Sequence, residues 1–135
     1  MDDGTLAAVG RWVAKSREDM ETVTVMVKMD HPRAAISESY FAAFHASLAA
    51  LLGCGVRPSK RSNVSAVFDT HLVKPGLIEP EYAGILARLG AEREKADYRP
   101  ELCDVSDDVV DPLIADAGRF VARMERYLRE VGAIE

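Results

Sequence analysis

The side chains best placed to do chemistry in this 135-residue sequence are Arg93, Asp97 and Tyr98. The apolar residues Tyr82, Ile85, Leu86 and Leu89 recur at helical spacing, and the next positions on that stripe are Arg93, Ala96 and Asp97. Glu92, Glu94 and Lys95 fall on other faces. A guanidinium on an apolar face needs a partner, because an unpaired buried charge costs several kcal/mol, roughly. Asp97 lies one turn on, at the i,i+4 spacing of a helical ion pair. Two readings fit. In one, Arg93–Asp97 is a structural pair at a half-exposed helix end. In the other, Arg93 faces a cleft or subunit interface and binds an anion such as a phosphate, with the Tyr98 hydroxyl beside it.

Other reactive groups are more scattered. His45 stands among Phe41, Phe44 and small residues, where a hydrogen-bonded core or interface histidine is the ordinary outcome and a base the less ordinary one. His31 and His71 have no partners at a diagnostic spacing, and no metal-binding or phosphate-loop motif is present, so no cofactor is expected. Arg119, Arg123, Arg126 and Arg129 recur opposite an apolar face, as a solvated stripe near a helix C-terminus or, less ordinarily, as a phosphate-binding one. Arg57, Lys60 and Arg61 give the 56–63 segment a basic surplus with no acid. Cys54 and Cys103 form no CxxC pair; they read as small buried residues, with a disulfide as the alternative.

Helices must position these groups. Leu6, Val9, Val13, Met20, Val23 and Val27 predict a first helix with a heptad through 6, 13, 20 and 27. Asp30-His31-Pro32 ends it, and Pro32 suits the first turn of a second helix running to about Leu52. That helix carries Ile36, Tyr40, Phe44, Leu48 and Leu51 with alanines between them, which lets neighbours approach closely. A short helix over 64–73 would present Val64, Val67, Phe68, His71 and Leu72. A fourth begins near Pro80 and ends before Arg99-Pro100. The last shows Val110, Leu113, Ile114, Ala117, Phe120, Val121, Met124, Leu128 and Val131, with Ser106 as N-cap or a later start at Asp111-Pro112. The expected fold is all-α: an antiparallel up-and-down bundle of four long helices and one short one, in a single domain over 1–135 with its core at about 5–131.

Composition bounds the class. With 48% hydrophobic and 29% charged residues and a net charge of −5, the chain is neither disordered nor a uniformly basic nucleic-acid binder, though a local basic site is allowed. The uncharged run Ser39–Val56 is short of a ~20-residue membrane span and reads as a buried helix. The acidic Met1-Asp2-Asp3 start is unlike a signal peptide, so a cytoplasmic location is expected.

Three segments together resemble the HEPN domain family, in its UPF0332-type branch. Ser39-Tyr40-Phe41-Ala42-Ala43-Phe44-His45-Ala46, followed by Leu51-Leu52, is similar to the signature of the family's second helix. Phe68-Asp69-Thr70-His71-Leu72-Val73-Lys74-Pro75-Gly76 is similar to a second family stretch. Arg93-Glu94-Lys95-Ala96-Asp97-Tyr98 resembles its Arg-x-x-x-Asp-Tyr motif. The resemblance spans about residues 5 to 130 and implies a helical bundle that forms a homodimer. It further implies a toxin-like protein, a metal-independent endoribonuclease acting on RNA or a nucleotide binder, paired with a minimal nucleotidyltransferase antitoxin. Carried over by position, Arg93 would hold the scissile phosphate and Asp97 would orient it. Tyr98 would be their motif partner and a possible adenylylation site, and Tyr40 and His45 would join Arg93 in binding nucleotide or phosphate. The ribonuclease branch has a histidine after four to six intervening residues beyond the arginine; positions 98 to 100 here are Tyr98, Arg99 and Pro100. A tyrosine, with an ordinary pKa of about 10, is a poor general base at neutral pH. A non-catalytic dimer that binds a nucleotide, or positions substrate for a partner nucleotidyltransferase, is the alternative, and a purely structural dimer is a third.

Overall fold

A computed structural model describes residues 1–59 and 63–135, all-α throughout those residues. The helices are α1 (Asp3–Lys28), α2 (Pro32–Gly53), α3 (Val64–Phe68), α4 (Pro80–Tyr98) and α5 (Asp107–Glu130). A π turn, Asp69–Val73, continues α3, and a 3₁₀ turn, Pro100–Leu102, follows α4. The predicted boundaries of the four long helices hold to within a few residues. Lys60 and Arg61 of the basic segment lie outside the described residues.

Local chemistry sets the boundaries. Asp2 caps α1 by accepting from the Thr5 N–H at 2.7 Å. Pro32 and Pro80 sit in the first turns of α2 and α4, where their missing N–H costs nothing. Between α1 and α2, Asp30 takes a left-handed φ of 59°, and the His31 N–H returns to the Met26 carbonyl at 2.9 Å. α5 starts after Ser106, so Pro112 lies within its early turns rather than marking a later start.

α2 is the central helix and packs on α1, α4 and α5. By length and composition it could cross a membrane, yet 61% of its most apolar window is buried in the bundle. Its alanines make this possible: Ala35, Ala42, Ala43, Ala46, Ala49 and Ala50 are all buried and let neighbouring backbones come close. The Ser16 hydroxyl of α1 donates to the Ala42 carbonyl of α2 at 2.8 Å, and a Cβ at Gly53 would stand 2.7 Å from Leu128 of α5. Phe68, Leu86, Leu89, Phe120 and Met124 fill the space around them.

Three expectations need correction. The α1 heptad does not hold: Val9, Val13, Ser16, Asp19 and Val23 are buried, while Val27 is 46% exposed. A seven-residue repeat drifts about 20° per heptad on a straight helix, so the 6–13–20–27 line leaves the packed face, and polar Ser16 and Asp19 take places on it. In the 64–73 segment the wider π turn leaves Phe68 and Leu72 buried and His71 exposed. The arginine stripe on α5 is not uniformly solvated, because Arg123 is buried. Both cysteines are free, Cys54 half-buried and Cys103 buried.

Candidate functional site around Arg93

The last two turns of α4 lie against the middle of α2, and their meeting builds the site. Gly90 allows the approach: a Cβ there would stand 3.4 Å from the Tyr40 ring. One turn further, the Arg93 guanidinium carbon sits 5.1 Å from the Phe41 ring centre, 5.7 Å from Tyr40 and 5.6 Å from Tyr98. Three aromatic faces thus surround one cation, each attracting it through the ring quadrupole. Tyr40 is held in a further set of rings, 5.3 Å from Phe41 and 5.9 Å from Phe44. Burial pushes the Tyr40 phenol above its ordinary value, with the Arg93 charge acting the other way, so this hydroxyl stays protonated.

Arg93 and Asp97 are paired as their spacing predicts, with Nε 2.8 Å from Oδ2 and both side chains 28% exposed. Asp97 also accepts from the Ser37 hydroxyl of α2 at 3.3 Å. The ion pair is close but its N–H is poorly directed: buried Arg93 Nε has no hydrogen-bond acceptor among the described residues. The guanidinium is therefore held by charge and by rings, with donor capacity left over. Tyr98 is 69% exposed, a phenol at the rim of the arrangement. Of the predicted residues, the structure brings Arg93, Asp97, Tyr98 and Tyr40 together.

His45 belongs to an adjoining cluster. Its ring centre is 6.2 Å from Phe41, 5.5 Å from Phe44 and 5.3 Å from Trp12 of α1, the last nearly parallel at 13°. His45 Nδ1 lies 2.5 Å from Asp19 Oδ2, the spacing of a short charge-assisted hydrogen bond. Asp19 is buried, and Lys15 Nζ approaches it at 3.5 Å. The nearby Glu38 carboxyl is pushed above its ordinary value by burial and then by its hydrogen bond and like charge with Asp19. With the Asp19 carboxylate as acceptor, Nδ1 carries the proton and Nε2 is the uncommitted nitrogen. Phe41 separates this imidazole from Arg93.

Sequence reasoning missed Asp19, Trp12 and Ser37. Asp19 could have been found, since it falls at the i+3 step after Ser16 on the line 9–13–16–23 once the heptad is abandoned. Nothing in the sequence alone couples Ser37 to Asp97, sixty residues away.

One family model, described as HEPN domain, matches residues 9–127, a span that takes in α2, α3 and the Arg93–Asp97–Tyr98 ending of α4. The chain belongs to the HEPN domain family. Among similar chains, one from Methanocaldococcus jannaschii named "Putative toxin MJ0605" is 28% identical over 116 residues, 86% of this chain and 85% of the relative. A "UPF0332 protein" of Thermotoga maritima is 28% identical over 120 residues, 89% of this chain and 90% of the relative. "UPF0332 protein PH1297" of Pyrococcus horikoshii is 29% identical over 102 residues, 76% and 68% of the two chains. Each of these matches covers more than two-thirds of both chains, so the likeness extends well beyond a local motif in the HEPN bundle.

Proposed function

We propose that this HEPN protein is the toxin-like half of a pair with a minimal nucleotidyltransferase, gripping an RNA phosphodiester with Arg93 and cleaving it without a metal. The observation that carries the reading is the state of Arg93: a guanidinium 28% exposed and ringed by Tyr40, Phe41 and Tyr98, held through Nε by Asp97, with Nη groups that donate to none of the described residues. A phosphate oxygen is the acceptor that such a group suits, and flanking rings suit unstacked bases. The toxin context is supported by the name of the Methanocaldococcus relative.

In the proposed reaction the ribose 2′-oxygen attacks the adjacent phosphorus. A P–O2′ bond forms, the P–O5′ bond breaks, the 2′-hydroxyl proton passes to a base, and the departing 5′-oxygen takes up a proton. Arg93 stabilises the charge that develops on the phosphoryl oxygens, and Asp97 keeps the guanidinium in place. Tyr98 is the exposed hydroxyl at the rim and the candidate site of adenylylation by the partner. A second copy packed beside the end of α4 would bring two Arg93 side chains into one dimer. The domain is taken as the whole of 1–135.

A second reading, a non-catalytic dimer that binds a nucleotide or presents substrate to the nucleotidyltransferase, is favoured by the absence of a histidine at positions 98 to 100. Cleavage of total RNA in EDTA, wild type beside Arg93→Ala, separates the two. Cleavage by the wild type alone supports the nuclease. No cleavage by either folded, unadenylylated protein overturns it and leaves the binding module.

A further inference from the structure

The aromatic series that begins at Tyr98 and Arg93 continues beyond His45 to Trp12, and Trp12 forms part of the wall of a groove that the site above does not use. This groove, about 310 Å³, is lined by Ala8, Arg11 and Trp12 of α1, Leu48 and Leu52 of α2, and Arg57 and Pro58 of the following loop. Its volume is that of a small-ligand site. Two of its lining residues are arginines and none is acidic, on a chain whose 22 acids outnumber its 17 bases. Arg11 has no carboxylate partner among the described residues. Arg57 donates to the Thr5 hydroxyl at 2.9 Å, and its charge reaches Asp2, whose carboxylate is occupied in capping the Thr5 N–H. Trp12 is backed by the nearly parallel His45 ring, itself fixed by buried Asp19.

We propose that this groove is a second nucleotide subsite, in which a base lies against the wall built on Trp12 and its phosphate is held by Arg11 and Arg57. The reading of the ligand as one stretch of single-stranded RNA rests on the function proposed for Arg93. The groove's own chemistry, an indole and aliphatic walls with two arginines and no acid in the lining, selects an aromatic ring joined to a phosphate. The rings of His45 and Phe41, at 5.3 and 6.2 Å steps, lie between the two sites.

Trp12 is the only tryptophan in the sequence, so its fluorescence reports on the groove alone. The probes are AMP, adenosine and inorganic phosphate, titrated into wild type, Arg11→Ala, Arg57→Ala and Arg93→Ala, each checked for helix content by circular dichroism. AMP should quench Trp12 saturably, with adenosine about tenfold weaker or more, and Arg11→Ala or Arg57→Ala should each weaken AMP about tenfold. Arg93→Ala should leave the AMP curve unchanged. No quenching by AMP, equal binding of adenosine and AMP, or an unaltered curve in folded Arg11→Ala would overturn the subsite. Loss of the AMP signal in Arg93→Ala would overturn its independence from the first site. RNA cleavage or binding that ignores Arg93, beside the expected AMP pattern, would sink the function proposed for Arg93 and leave the nucleotide subsite standing.

Discussion

Arg93 and Arg123 are both arginines drawn into the bundle, each with a carboxylate beside it, and the protein treats them differently. Arg123 is 6% exposed and two of its three nitrogens are engaged: Nε donates to Glu79 at 2.8 Å, and Nη2 to Glu79 at 3.0 Å and the Leu77 carbonyl at 3.2 Å, with buried Nη1 left without a partner among the described residues. It fastens the loop before α4 onto α5. Arg93 has an ion-pair contact without a directed hydrogen bond, and aromatic rings where Arg123 has acceptors. A guanidinium that has found its acceptors is structural, and one that keeps donors free at a partly exposed face is available to a ligand. This difference supports the ligand-binding role proposed for Arg93.

The largest effect should come from Arg123→Ala. Removing it leaves Glu79 without its main partner and opens a gap on the packed face of α5. Because the Glu79 side chain is partly solvated, the loss should be about 2–3 kcal/mol rather than the larger figure for a fully buried pair. Arg93→Ala should cost about 1 kcal/mol or less, while abolishing whatever RNA binding or cleavage the protein has. Urea denaturation of the two variants measures both. Equal losses, or the larger loss at Arg93, would return Arg93 to a structural role.

Acid sharpens the same contrast. The hydrogen bond from Arg123 holds the Glu79 carboxyl below its ordinary value, opposed by burial and aided by the Arg123 and Arg126 charges. A depressed folded pKa gives stability that is present above the unfolded value, about 4.5, and is lost as pH falls through the folded one. Wild-type stability should therefore fall below about pH 4.5, and Glu79→Gln should flatten that part of the curve. Arg93→Ala should leave it unchanged. Denaturant midpoints between pH 3 and 7 provide the test.

How much of this was legible follows from where the interactions run. The four long helices were readable because proline and capping residues act within a few positions of the boundaries they set. The Arg93–Asp97 pair was readable because it closes over one helical turn. The clamp on Arg123 was not: its acceptors, Glu79 and Leu77, are 44 and 46 residues away, so the helical wheel showed only another arginine on a polar stripe. The dyad of Asp19 with His45, 26 residues apart, was hidden by the same distance and by a heptad that named Met20 and Val27 instead. Local periodicity shows which side chains face inward, and it leaves open what they meet there.

The inner cluster offers a prediction of intermediate size. Asp19→Ala would leave the His45 imidazole beside Trp12 without its acceptor and Lys15 without its buried partner. A lost charge-assisted hydrogen bond in this setting should cost about 1.5–3 kcal/mol. Asp19→Asn, which keeps an oxygen acceptor and removes the charge, should recover part of that loss. It should also let the Glu38 carboxyl return toward its ordinary value, since the Asp19 charge is one cause of its rise. A carboxyl titration of Glu38 by NMR that does not move in Asp19→Asn would show that burial alone sets it.

The smallest effect concerns backbone, not side-chain, availability. Asp30 adopts a φ of 59° at the end of α1, a conformation that costs a residue with a Cβ on the order of 1 kcal/mol and glycine nearly nothing. No side-chain hydrogen bond or ion pair ties Asp30 to another described residue, so glycine would forfeit little in the folded state. It would lose more chain entropy on folding, which offsets part of the gain. Asp30→Gly should therefore stabilise the protein by roughly 0.5 kcal/mol in urea denaturation. Destabilisation instead would mean that the Asp30 carboxylate contributes to the α1–α2 turn through solvent or through the positive field at the start of α2. The reversal at His31-Pro32 would then depend on that side chain as well as on the proline.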